Sequence, residues 1–109
     1  MSFKIVSQPE FSRRVAVRVP CDGGFDEQSL EVRFRVLNDE EQEKLKGSDD
    51  MVGDFLRRAV ISMGDIVDED GNELPFNDAL RDRLLALPFV RFALARAYGD
   101  AVAGERAKN

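Results

Sequence analysis

The chain has 109 residues, a length that fits one domain and leaves no room for two. Hydrophobic residues make up 43% of it, eight Phe among them, which supports a packed core and argues against global disorder. The formal charge of −5 is concentrated in residues 38–80, which hold 13 acids and 4 bases, so a basic protein surface suits the chain better than nucleic acid, whose binders carry a basic footprint.

The opening Met-Ser-Phe-Lys-Ile-Val-Ser-Gln-Pro-Glu meets a charge and a proline too soon for a signal peptide, and Phe3–Val6 has the composition of a short strand. In 12–19, Val15, Val17 and Val19 alternate with Ala16 and Arg18, the period of a half-buried strand. Pro20 to Gly24 breaks that pattern, and Leu30, Val32, Phe34 and Val36 then alternate with Glu31, Arg33 and Arg35. Two such runs predict an antiparallel hairpin, with a connection longer than the tightest type.

From Asn38 the period changes. Asn38 can cap a charged helix over 39–46, with acids in its first turn and lysines in its last, and Gly47 ends it. Ser48 can start the next helix, 49–63, in which Val52, Phe55, Leu56, Ala59 and Met63 share one stripe. Residues 64–76 form a connector whose Asp70-Gly71 step predicts a tight turn between two short extended pieces. Asn77 can cap a helix carrying Leu80, Leu84 and Leu87; Pro88 stops it and can open a last helix, Phe89 to about Ala103, with Gly104 as its stop. The predicted fold class is α+β: an N-terminal antiparallel β-hairpin or small sheet packed against three main α-helices. Residues 1–37 form the β-rich part, 38–104 the helical part, and 105–109 a loose polar tail.

Histidine is absent, so no Ser-His-Asp or Cys-His arrangement forms, and with a single Cys the usual structural zinc sites are excluded. Cys21 has no base beside it in the sequence to activate it and reads as a plain loop or core-edge thiol in a reducing compartment. In the acidic turn Asp68-Glu69-Asp70-Gly71-Asn72, an EF-hand register on Gly71 puts Ile66 and Asn77 where two main calcium ligands belong, so that motif fails; a looser cation site is the alternative to the default, a solvated turn. Arg14, Arg18, Arg33 and Arg35 share one side of the predicted hairpin, where cross-strand pairs such as Arg18 with Glu31 would neutralise them. No enzyme motif, metal site or cofactor site emerges, and no apolar run is long enough to cross a bilayer.

The final helix is the most informative element. Val90, Leu94, Ala97 and Ala101 make one apolar stripe, while Phe89, Phe92, Ala93 and Ala103 lie on another side beside Arg96 and Asp100. Apolar residues most of the way round imply contact on two sides: this domain's core, and a second element, subunit or ligand helix. The residues assigned to partner contact are Phe89, Phe92, Ala93, Arg96 and Tyr98.

The stretch from Asp68 through Leu74-Pro75-Phe76 to Leu80, then Leu84 to Tyr98 and Ala101 to Gly104, resembles the small tail assembly chaperones of long-tailed phages and prophages. The opening Phe3-Lys-Ile-Val, Pro9, Phe11 and the strands after it are also similar. Met63-Gly64 and Gly99 depart from the pattern, which has an aromatic before the acidic turn and a bulky residue at the latter position. The resemblance implies a non-enzymatic factor in the host cytoplasm. It would bind the tape-measure protein, with tail-tube subunits as further partners, and would keep that long helical protein soluble without nucleic acid, membrane or cofactor. A homo-oligomer is compatible with it, and a frameshifted longer form would need a slippery site encoding Lys108-Asn109. Two rival readings are a small acidic phage inhibitor that mimics nucleic acid, and a hydrolase built on paired carboxylates.

Overall fold

A computed structural model describes residues 1–107, so the expected slippery-site dipeptide Lys108-Asn109 lies outside the described residues. Strand β1 (Glu10–Cys21) and strand β2 (Gly24–Arg35) pair antiparallel from Glu10↔Arg35 to Cys21↔Gly24. Asp22 and Gly23 alone make the turn, with Gly23 at φ 81°, a conformation that costs glycine little. The expected longer loop is thus corrected to a two-residue one. Pro20 and Gly24 belong to the strands, and Pro20 is tolerated because β1 is an edge strand. Alternation buries Val15, Val17, Leu30, Val32 and Phe34 on one face of the hairpin and sends Arg14, Arg18, Arg33 and Arg35 to the other.

The third strand is not Phe3–Val6, which has no regular structure, but β3 (Val60–Gly64), antiparallel to β2 in the order β1-β2-β3. This corrects the helix expected over 49–63 and puts a sheet strand inside the part, 38–104, expected to be helical. The register shifts between Arg33 and Phe34, which pair with Ser62 and Val60 and leave Ile61 as an extra residue. Val60 and Met63, three apart, would face opposite sides of a regular strand; the bulge turns both inward, where both are buried. That spacing is also a helical one, which is why the sequence pattern reads as helix.

Helix α1 (Asp39–Glu43) starts at Asn38, whose side chain accepts the Glu41 N–H, and is shorter than the predicted 39–46. Helix α2 (Met51–Ala59) is capped by Asp50 rather than Ser48; the Ser48 hydroxyl instead accepts the Asp50 N–H at 3.1 Å. The connector forms the two short extended pieces expected: Val67 bridges Glu73, and the Leu74 N–H donates to the Ile66 carbonyl at 2.8 Å. Helix α3 (Asp78–Leu85) is capped by Asn77, and helix α4 (Pro88–Val102) begins on its proline and is followed by Gly104 at φ 88°. The fold is α+β, a three-stranded antiparallel sheet with four helices among the described residues. None of those helices is long and apolar enough to cross a membrane.

The core lies between the sheet and the helices, and α4 touches β1, α2 and α3. Its centre is aromatic: Tyr98 lies 4.9 Å from Phe55, 5.8 Å from Phe34 and 6.0 Å from Phe11, ring centre to ring centre, so one side chain links α4 to α2 and both long strands. The Tyr98 hydroxyl accepts the buried Leu37 N–H at 3.0 Å, closing the turn out of β2 onto α4. A second tie joins Asp50, at the start of α2, to the Arg91 guanidinium of α4. The two groups meet over Gly53, where any Cβ would collide with both.

Candidate partner-binding surface

Helix α4 has three sides of different character. Its inner side is Val90, Leu94 and Tyr98, all buried at i, i+4 and i+8. Phe89, Ala93 and Ala97 are half-buried and pack on the margin of the core, while Arg91 reaches Asp50 along the flank. The third side faces solvent: Phe92 is 74% exposed, and Ala95, Arg96, Gly99, Val102 and Ala103 are exposed with it. From Phe92, the residues Ala95, Gly99 and Val102 follow at i+3, i+7 and i+10, a single helical face. Arg96 is its one charge, and it makes no ion pair among the described residues.

Of the five residues assigned to partner contact, Phe92 and Arg96 lie open on this face, and Phe89 and Ala93 sit beside it with part of their surface free. Tyr98 is the correction. Its ring is only 8% exposed and its hydroxyl is committed to Leu37, so it builds the core rather than the surface. Of the stripe Val90, Leu94, Ala97 and Ala101, the first two are buried, whereas Ala97 and Ala101 are half-buried. Ala95 and Val102 were not selected from sequence, although their spacing from Phe92 was there to find.

The arginines of the hairpin's outer face are partnered within the molecule. Arg14, Arg18, Arg33 and Arg35 do share the outer face of the hairpin, but acids meet three of them. Arg14 Nε lies 2.9 Å from Glu31 and its Nη2 2.9 Å from Asp65, Arg33 reaches Glu10 at 3.3 Å, and Arg35 holds Glu41 at 2.7 Å. The cross-strand partner of Glu31 is therefore Arg14, directly opposite it, and not Arg18, which stacks on Phe25 at 4.8 Å. Arg35 holds the Glu41 carboxyl below the usual carboxylate range. Cys21 is an exposed free thiol at the end of β1.

The acidic turn closes on itself. The Asp68 carboxylate accepts the backbone N–H groups of Asp70 and Asn72, both at 2.9 Å, and these donors, that of Asn72 first, hold its carboxyl below the usual aspartate range. Among the described residues no three His, Cys, Asp or Glu side chains converge as a metal site would need. Several other acids serve as internal counterions: Asp54 and Asp82 flank Arg57 at 2.9 and 3.5 Å, tying α2 to α3.

In comparisons with protein-family models, with curated proteins and with solved structures, nothing matches the chain.

Proposed function

We propose that this chain is a tail assembly chaperone of a long-tailed phage or prophage. In this reading it works without catalysis in the host cytoplasm, where the solvent face of α4 holds amphipathic helical segments of the tape-measure protein until tail-tube subunits replace it. The observation that carries the reading is the solvent side of α4, where Phe92, Ala95, Gly99 and Val102 form an apolar face with Arg96 as its only charge. A face of this kind suits helix-on-helix recognition, in which a bulky anchor sits beside small residues that allow close approach. The acids of residues 38–80 keep such a complex in solution by like-charge repulsion between copies. The likeness of 68–104 to the chaperone pattern supplies the identity of the partner.

The test is capture of a phage tape-measure protein, using the chain and its Phe92→Asp variant. Burying a Phe contributes about 1.5–3 kcal/mol, so the variant should bind at least about tenfold more weakly. Its circular dichroism and urea midpoint should stay native, because Phe92 lies outside the core. Capture unchanged by the substitution would refute the surface, and no capture by the unaltered chain would refute the function.

A further inference from the structure

Two features remain that α4 does not use. The first is an open cleft of about 840 Å³ between the 66–74 hairpin and α3. Its apolar lining comes from Ile66, Leu74, Leu80 and Leu84, and its volume falls in the range of about 300–1,000 Å³ typical of ligand-sized sites. Asp68, Glu69, Asp70 and Arg83 also line it, three acids against one base. Asp68 is spent on its own turn, but Glu69 and Asp70 make no ion pair among the described residues.

The second feature is the segment before β1. Phe3 is 91% and Ile5 86% exposed, Val6 is exposed as well, and Lys4 stands between the two largest of them. The segment has no regular structure, and its base is held where the Val36 N–H donates to the Pro9 carbonyl at 2.9 Å. Three large apolar side chains within four residues, all in water, are a surface in need of cover. The segment leads into the edge strand β1, no residue before Ile66 lines the cleft, and the segment therefore does not fill the cleft of its own molecule.

We propose that two copies of the chain associate reciprocally, the Phe3–Val6 segment of each seated in the Ile66–Leu84 cleft of the other, with Lys4 against Glu69 and Asp70. Apolar anchors meet an apolar lining, and the one cation of the segment meets the acidic side of the cleft. A reciprocal exchange closes on itself as a two-fold dimer and leaves no unfilled copy of either feature. This interface goes beyond the tape-measure reading, which rests on Phe92, and either can fail without the other.

Sedimentation velocity across a concentration series tests it. The unaltered chain should be a dimer at high concentration, and a Phe3→Asp/Ile5→Asp variant should dissociate more than about a hundredfold more readily, with native circular dichroism because neither side chain touches the core. Lys4→Glu alone, and Glu69→Lys/Asp70→Lys alone, should each weaken self-association, more so at low salt. Mixing those two variants should restore the dimer, since every segment then meets a cleft of opposite charge. A monomer at all concentrations, including one whose segment folds into its own cleft, overturns the proposal. So does a dimer indifferent to these substitutions, or one the mixture fails to restore. Loss of tape-measure capture on cleft substitution, with no dimer to disrupt, would give the cleft to that partner instead.

Discussion

Leu94 and Phe92 sit two residues apart on one helix and have opposite fates. Leu94 is completely buried between the sheet and α2, whereas Phe92 is three-quarters exposed. Both are large and apolar, so hydrophobicity alone does not separate them; the direction each leaves the helix does. The inner side of α4 answers to the fold, and the outer side is free to answer to something else. Arg91 belongs to a third side, where a charge ties the start of α4 to the cap of α2.

The largest expected effect breaks the inner side. Leu94→Ala should lower stability by about 2–5 kcal/mol, the usual range for a buried leucine, whereas Phe92→Ala should stay within about 0.5 kcal/mol of the unaltered chain, as exposed sites do. Urea titrations of the two variants check this directly, and equal losses would erase the distinction between the sides. Tyr98→Phe sharpens the same contrast. It keeps the aromatic packing and strands the buried Leu37 N–H, for an expected cost of about 1–3 kcal/mol. A Tyr98→Phe variant as stable as the parent would mean that the hydroxyl is not holding that turn.

The smallest effect concerns the flank and appears as pH dependence. The Arg91 guanidinium, with help from the Gly53 N–H and against partial desolvation, holds the Asp50 carboxyl below the usual aspartate range. A carboxyl depressed in the folded state adds stability above its unfolded value, about 3.9 for aspartate, and loses it as pH falls through the folded value. The urea midpoint should therefore drop between neutral pH and the range below about 3.9. Asp50→Asn retains a capping side chain and should show a smaller drop from a lower neutral value. Parallel pH curves for the two proteins would show that the pair with Arg91 contributes nothing; Glu41 and Asp68, lowered by their own partners, remain in both and set the rest of the acid sensitivity.

Most of the elements were legible because their signals are local. Alternating valines mark β1, Asn38 and Asn77 each accept the N–H three residues on, and Pro88 opens α4 where a proline costs nothing. The misreadings share one cause. Val60 to Gly64 is a strand because β2 offers it an unpaired edge, and its bulged register imitates helical spacing; nothing within 49–63 announces either fact. Phe3–Val6 has strand composition but pairs with no strand among the described residues.

The candidate surface divides in the same way. That α4 is apolar most of the way round could be read from residues 88–103, because helical geometry assigns directions to side chains without reference to anything else. Which direction faces inward could not, since that depends on where β1 and α2 lie. Only the packed molecule sends Tyr98 into an aromatic cluster with Phe11, Phe34 and Phe55, and leaves Phe92, Ala95 and Val102 in water. Periodicity is written into the chain residue by residue, whereas burial is a property of neighbours brought together from 40 to 90 residues away.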